Sequence, residues 1–417
     1  MARCALLALG LCLCLTAPVW GDDTEDNKNE HDEVKLHTAL LKDYNSDMRP
    51  VKDHKSAVVV KVRLALKYLS FDSLEEMVTV HNWVALNWND PFLTWNPSDY
   101  SNINEVQIQS HEIWTPGLSL FNADATAYHN SESFYTTCLV TNTGKVTCVP
   151  NVAHTGICRT TLKKWPYDTQ NCTLYFGSWM HTGEQINFTF YNTKPVVLDD
   201  FQNGAGWKLL NVVNERLPGK YNMNSTYPML KYTFMLRREA AGLAAIVVAP
   251  SVILVLVTLA SLLLDIKDNT RLILLCFSLF GHFTMTSEIG YVIPKLSADT
   301  PILLLFVRDS MIVNLVAILV TMGLMSMRKQ LVPAPSWIMS VNRLVSVGPG
   351  KYIVFTEFDP SNDAEGKIVS EDLSTEDKNA RTTADWVKFA SVLNNLTFII
   401  LLFIYLVLIC TCIPSDK

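Results

Sequence analysis

Charge is scarce in this 417-residue sequence: Asp, Glu, Lys and Arg make up 18%, where about a quarter is usual. Basic residues do not outnumber acidic ones, 34 against 40 with a net charge of −6, which argues against nucleic acid as a partner. Glycine (17) and proline (18) are too few for a collagen-like or low-complexity chain. The motifs GxxxxGK[ST], HExxH and GxSxG are absent, and no nucleophile clusters with a base, so no enzyme class is indicated. No CxxC pair occurs either, which leaves a zinc site without its usual spacing. Neither metal nor cofactor is expected.

What is abundant is apolar: 49% hydrophobic residues and a positive mean hydropathy of +0.17. The distribution is uneven. Residues before about 240 alternate polar and apolar and hold most of the Trp and Tyr, so the chain is not membrane protein throughout. The N-terminus has one early basic residue, Arg3, then an apolar run from Cys4 to Leu15 and small residues to Gly21. That pattern is a secretory signal peptide, too short to span a bilayer, with cleavage expected near residue 21. Four later stretches are long enough to span: Gly242 to Leu264, Arg271 to Ile293, Pro301 to Met327, and Trp386 to Cys412. The expected order is a signal peptide (1–21), an exported domain (22–239), three spans (240–327), a cytoplasmic loop (328–385), a fourth span (386–412) and an extracellular tail (413–417). Arg328, Lys329, Arg343 and Lys351 in the loop, with no acid before Glu357, agree with the positive-inside rule.

Four cysteines fall in the exported domain: Cys138, Cys148, Cys158 and Cys172. An even set in an oxidising compartment implies two disulfides, with three possible connectivities. The turn signal Thr141-Asn142-Thr143-Gly144 between two β-prone runs favours a Cys138–Cys148 bridge, which leaves Cys158 with Cys172. Val58 to Leu66 and Thr79 to Leu86 are β-rich runs split by a polar bend at Ser70 to Glu76, and turn signals recur at short spacing afterwards. The fold class is therefore an extracellular all-β sandwich followed by a four-helix transmembrane bundle, with a short leading helix over Leu36 to Asn45. Sequons at Asn171, Asn187 and Asn224 fit an exported surface. The sequon at Asn395 lies inside a span and carries no meaning there.

Two cysteines separated by thirteen residues around Trp165-Pro166-Tyr167-Asp168 resemble the marker of the Cys-loop pentameric ligand-gated ion channels. Trp88-Asn89-Asp90-Pro91, Leu93-Thr94-Trp95-Asn96-Pro97, Phe176-Gly177-Ser178-Trp179, Arg237-Arg238, Pro250 and Pro294 extend the resemblance to nicotinic acetylcholine receptor subunits. The likeness covers nearly the whole mature chain. It implies five subunits, identical or homologous, in a ring in the plasma membrane, with a postsynaptic location as one option. It also implies ligands at subunit interfaces, a pore lined by the second span, and permeating monovalent cations.

Family ligands carry a quaternary or protonated amine, attracted to the negative faces of aromatic rings by about 2 kcal/mol or more once desolvated. The resemblance puts Trp179 and Phe121 on the principal face, Tyr221 and Tyr227 on the capping loop, and Trp83 on the complementary face. Phe121 stands where the family usually has Tyr. The adjacent cysteine pair of acetylcholine-binding subunits is missing: the loop reads Asn222-Met223-Asn224-Ser225-Thr226. The loop is also one residue shorter than in those subunits, and the missing pair and the shorter loop put acetylcholine itself in doubt and favour another amine-like agonist, or an accessory subunit that does not bind agonist. A glycan on Asn224 would crowd the entrance.

Counting from Arg271 to Pro294 needs no gap against the family, so the resemblance implies the pore-facing residues Thr270, Ile273, Phe277, Phe280, Thr284, Ser287 or Glu288, and Tyr291. Phe280 replaces the usual mid-pore Leu, and two Phe rings a turn apart would form a dry, dewetting constriction. Thr270 takes the place of the inner carboxylate ring of cation-selective relatives, and Glu288 is the candidate outer ring. Polarity alone would turn Ser278, His282 and Thr286 to water, whereas the register turns His282 and Ser278 toward neighbouring helices. Coupling of sandwich to pore is expected through Asp72, Leu74, Trp165, Pro166, Tyr167, Asp168, Arg238 and Pro294. The family's acidic partner of the pre-span Arg falls on Ser73, so Asp72 and Asp168 are the candidate partners of Arg238.

Overall fold

A computed structural model describes residues 31–124, 135–204, 206–222, 225–294, 299–330, 332–346 and 375–412. The expected signal peptide, Asn224, most of the cytoplasmic loop and the tail 413–417 lie outside the described residues. The leading helix runs over Asp32–Leu41, earlier than the expected Leu36 to Asn45. His31 Nδ1 accepts the Glu33 N–H at its start, and Asp32 and Glu33 in the first turn suit the positive helix terminus.

The two β-rich runs become one long hairpin, β1 (Val58–Asp72) and β2 (Met77–Thr94), turning through Ser73 to Glu76. Alternation places Val60, Val62, Leu64 and Leu66 inward on β1, and Val78, Val80, Val84 and Leu86 inward on β2. Around this hairpin one sheet gathers β3 (Glu105–Gln109), β5 (Thr137–Thr141), β6 (Thr143–Cys148), β7 (Asn151–Ile157), β9 (Ile186–Phe190) and β10 (Val196–Val197). The facing sheet orders β11 (Trp207–Leu217), β14 (Met229–Arg238), β8 (Thr169–Gly177) and β4 (Ser119–Leu120). Leu174 and Phe176 of β8 and Leu230, Tyr232, Phe234 and Leu236 of β14 pack against the first sheet in one core. Each such side chain contributes roughly 1.5–3 kcal/mol by leaving water. Cys138 pairs with Cys148 across β5 and β6, and Cys158 pairs with Cys172. Asn171 is exposed on β8, and Asn187 on β9 is half-buried, its Oδ1 accepting from Arg216 Nη2 at 2.7 Å.

Among the described residues, four helices are long and apolar enough to cross a membrane: span one Ala241–Leu262, span two Asn269–Val292, span three Ile302–Arg328 and span four Ala384–Thr411. Span four continues a helix that begins at Thr375. Pro250 in span one has no N–H to return to the carbonyl four residues back, and the chain just before it widens to a π-helix over Ala244–Val248. A short helix, Ser336–Ser346, follows span three and was not expected from the sequence. Trp337 on it packs edge-on to Phe389 of span four at 5.3 Å between ring centres.

Candidate ligand site, domain junction and pore

Chain geometry brings two of the expected cage residues together. β8 ends at Gly177, where a Cβ would collide with the Phe121 ring, so glycine lets that ring lie across the strand end. Phe121 is fixed by its N–H donating to the Tyr175 carbonyl at 2.8 Å, and its ring stands 5.3 Å from that of Trp179, tilted by 50°. Trp179 is 67% exposed, an unusual position for an indole with this much apolar surface. Beside it the capping hairpin, β12 (Lys220–Asn222) and β13 (Ser225–Thr226), is closed at its base by the Tyr227 N–H donating to the Gly219 carbonyl at 2.6 Å. Gly219 has φ +50° and a Cβ there would overlap the Tyr227 carbonyl, so only glycine fits this neck.

The hairpin is tied to the β8–β9 connection by Thr226 Oγ1 donating to Glu184 at 2.9 Å and by the Gly183 N–H donating to the Thr226 carbonyl at 2.6 Å. The Glu184 carboxylate is held below its ordinary pKa, chiefly by its own backbone N–H and then by the Thr182 and Thr226 hydroxyls. Tyr227 is half-buried at this neck, and Tyr221 falls on β12 with its side chain outside the described residues. Trp83 is elsewhere. It sits on β2, opposite Ala65 of β1 and Asn151 of β7, on the other sheet, and is 39% exposed on the face away from the core. A single chain therefore presents Trp179 with Phe121 at one place and Trp83 at another.

At the membrane end of the sandwich, Arg238 pairs with Asp168. The guanidinium donates twice, Nε to Oδ1 at 2.7 Å and Nη2 to Oδ2 at 3.1 Å, with Asp168 1% and Arg238 9% exposed. Such a two-pronged, buried pair has the geometry that makes an ion pair strong. Gln170 donates to the same carboxylate at 2.6 Å, and the Trp207 ring lies under the guanidinium at 4.2 Å. Asp72 is not the partner: its Oδ1 accepts the Leu74 and Glu75 N–H groups and holds the β1–β2 turn, leaving Leu74 exposed.

Trp165, after which the peptide bond to Pro166 is cis, is buried with Leu162 in the apolar cluster that includes Ile289, Ile293 and Phe306 of the bundle, while Tyr167 is exposed. The Ile302 N–H, first in span three, donates to the Lys163 carbonyl at 3.1 Å, a direct backbone link between sandwich and bundle. Pro294 ends span two, and 295–298 lie outside the described residues. Sequence reasoning missed Gln170 and Trp207. Gln170 carried a signal, a polar residue at an inward β8 position on the same face as Cys172 and Leu174. Trp207 carried none visible in its own segment.

On span two, Arg271, Leu275, Ser278, His282 and Ile289 are buried. Thr270, Ile273, Phe277, Phe280, Ser287, Glu288 and Tyr291 are exposed and Thr284 is half-buried, with Cys276 and Phe283 also exposed. His282 and Ser278 face the neighbouring helices. His282 Nδ1 lies 2.8 Å from the Ser278 carbonyl and so carries the proton, which leaves Nε2 to accept from Ser310 Oγ at 2.7 Å. The Tyr405 hydroxyl lies 3.1 Å from Ser310 Oγ, and Ser278 Oγ lies 2.9 Å from Thr258 Oγ1. One hydrogen-bonded cluster thus touches all four spans. At the other end of span two Asp268 caps the helix, accepting the Thr270 N–H and hydroxyl at 2.8 and 2.7 Å. Those bonds, the hydroxyl first, hold its pKa below the ordinary value.

A β-sandwich with Trp179 exposed beside a half-buried Phe121, linked through the Lys163 carbonyl and the buried Leu162 and Trp165 to four helices long and apolar enough to cross a membrane, is the architecture of a multi-pass membrane protein with a ligand-binding ectodomain. Residues 33–240 match the family profile of the neurotransmitter-gated ion-channel ligand binding domain. Curated relatives include the mouse neuronal acetylcholine receptor subunit beta-2, 30% identical, with 72% of this chain and 59% of the relative covered. The acetylcholine receptor subunit beta-type acr-2 of Caenorhabditis elegans is 28% identical over 72% of this chain and 51% of its own length. The 5-hydroxytryptamine receptor 3A of Cavia porcellus is 26% identical over 73% and 63%. The chain belongs to the Cys-loop family of neurotransmitter-gated ion-channel subunits. It spans a little over half the length of the curated relatives it matches.

Proposed function

We propose that this chain forms part of a pentameric, cation-conducting channel in the plasma membrane, opened by an amine-like ligand bound between adjacent subunits. The observation that carries this reading is the separation of the aromatics: Trp179 is exposed beside the half-buried Phe121 at the end of one sheet, and Trp83 is exposed on the other. Neither place alone surrounds a cation, so a complete cage needs the principal face of one subunit and the complementary face of another. A pore lined by Thr270, Ile273, Phe277, Phe280, Thr284, Ser287, Glu288 and Tyr291 would have its narrowest, driest zone at the phenylalanines and a carboxylate ring only at Glu288.

A second reading has observations of its own. Phe121 lacks a hydroxyl and the capping loop lacks adjacent cysteines, as β-type subunits do, which favours an accessory subunit that assembles with homologous partners and leaves agonist binding to them. Expression of the chain alone in voltage-clamped cells, with a panel of protonated and quaternary amines, separates the two. Agonist currents that fall at least ten-fold on Trp179→Ala, and reverse at a potential that follows sodium rather than chloride, support the first reading. Silence across the panel even after Phe280→Leu, with currents restored only by co-expressed homologous subunits, supports the second.

A further inference from the structure

The sheet face that carries Trp83 also carries cations. Alternation turns Lys61, Arg63 and Ala65 of β1 outward, since Val60, Val62 and Leu64 point into the core. In the register with β2, Ala65 stands opposite Trp83 and Arg63 opposite Ala85. Arg63 is thus the diagonal neighbour of Trp83 on that face, about 7–8 Å away from backbone to backbone. The other two corners of the square are alanines, so no large side chain rises from them between guanidinium and indole.

Arg63 is held in place without being neutralised. Its guanidinium lies over the Tyr191 ring at 4.2 Å, and Nη2 donates to Thr193 Oγ1 at 3.2 Å, both uncharged partners. Its Nε is buried with no hydrogen-bond partner. Among the described residues neither Arg63 nor Lys61 forms an ion pair, whereas Lys67, further along the strand, is bound to Asp200 at 2.6 Å. A fixed cation beside one half of an aromatic cage repels a ligand that is cationic and nothing more. It suits a ligand whose far end is anionic, because a guanidinium fork matches a carboxylate with two parallel hydrogen bonds.

We propose that the ligand is a zwitterion, its ammonium caged by the aromatics and its carboxylate taken by Arg63 of the subunit that supplies Trp83. The proposal rests on the reading that an amine-like ligand lies between subunits. It narrows that ligand to amino acids and their N-methylated forms, and makes Arg63 the residue that separates them from plain amines.

The test uses the full-length protein in nanodiscs, with binding measured by isothermal titration calorimetry. The probes are two matched pairs, choline with trimethylglycine and propanolamine with β-alanine. Each pair shares an ammonium and differs in a hydroxyl or a carboxylate at the other end. The carboxylate member should bind about ten-fold tighter, the size of one charge-assisted contact. Arg63→Gln should abolish that preference and leave the two alcohols bound as tightly or more tightly, which a disturbed fold would not do. Arg63→Lys should keep part of the preference, and Trp179→Ala should weaken both members of each pair alike. Equal binding of the two members in the wild-type protein, or an unchanged preference in Arg63→Gln, would overturn the proposal and leave the amine reading standing. Binding of neither pair would overturn the amine reading and the proposal with it.

Discussion

Both the sandwich and the bundle bury apolar clusters, but the bundle buries a larger share of polar side chains with them. The sandwich core is almost wholly apolar, Val, Leu, Phe and Trp from both sheets, with polar exceptions such as Asn82, His154 and Gln170. The bundle buries Ser251, Thr258, Ser261, Arg271, Ser278, His282, Ser310, Asn314 and Thr321, and exposes Phe277, Phe280, Ile253 and Leu319. The difference follows from the solvent. In water, apolar surface is driven inward, whereas lipid is as apolar as leucine, so helices in a bilayer associate through small and polar residues that bond across the interface. A polar residue buried in the sandwich is thus a local liability, and one buried in the bundle is part of what holds it together. The Arg238–Asp168 pair is buried at the end of the sandwich nearest the bundle, a few residues from Trp165, which packs against the helices.

The largest effect should come from breaking that pair. Asp168→Asn leaves the Arg238 guanidinium buried without its counter-charge and should cost about 3–5 kcal/mol, read as a lower unfolding temperature and reduced surface expression. Gln170→Leu, which removes only the neutral donor, should cost about 1–3 kcal/mol. A loss for Asp168→Asn no larger than for Gln170→Leu would mean that charge plays no part at the junction.

His154 tests the sandwich side. It is 5% exposed, its Nδ1 lies 3.1 Å from the Asn82 amide, and its ring meets Phe176 edge-on. Burial lowers its pKa from 6.5 to about 4. The unfolded chain takes up this proton first, so the sandwich has its full stability above about pH 6.5 and loses it as the pH falls toward 4. One shifted unit is about 1.4 kcal/mol, which makes the loss about 3 kcal/mol at full protonation. Denaturation followed by tryptophan fluorescence should show this slope in the wild-type protein and a flatter one in His154→Gln; parallel slopes would assign the acid sensitivity to other groups.

How far the sequence reveals these features depends on how local they are. The hairpin β1–β2, the four spans and the Cys138–Cys148 bridge rest on alternation, apolar run length and a turn between two cysteines, all readable within a dozen or two residues. The leading helix is displaced because its cap, His31, is a weak capping signal. The pairing of Arg238 with Asp168 spans 70 positions, and sequence could only narrow it to two carboxylates, of which Asp72 turned out to hold its own turn. Trp207 under Arg238, and Ser310 and Tyr405 around His282, were hidden for the same reason: their partners lie on other elements. The helix Ser336–Ser346 is eleven residues between proline- and glycine-containing flanks and offers too short a period to stand out.

The smallest effect is the most direct test of the contrast, because each region buries one tyrosine almost completely. Tyr232 packs edge-on between Phe176 and Phe190, and its hydroxyl is buried with no hydrogen-bond partner. Tyr405, 1% exposed, places its hydroxyl 3.1 Å from Ser310 Oγ inside the four-span cluster. The same deletion should therefore act in opposite directions. Tyr232→Phe removes an unsatisfied group from an apolar core and should stabilise the sandwich by about 1 kcal/mol. Tyr405→Phe removes the hydroxyl's contacts with Ser310 Oγ and, more weakly, with its carbonyl but leaves Ser310 donating to His282, so its cost should be about 0.6 kcal/mol, the average for such bonds in a bilayer. Unfolding of the two variants in the same detergent, followed by near-ultraviolet circular dichroism, should shift the midpoint upward for the first and downward for the second. An unchanged or higher midpoint for Tyr405→Phe would mean that its hydroxyl in the polar cluster contributes nothing beyond packing, and a lower one for Tyr232→Phe would mean that its hydroxyl is not a liability in the sandwich.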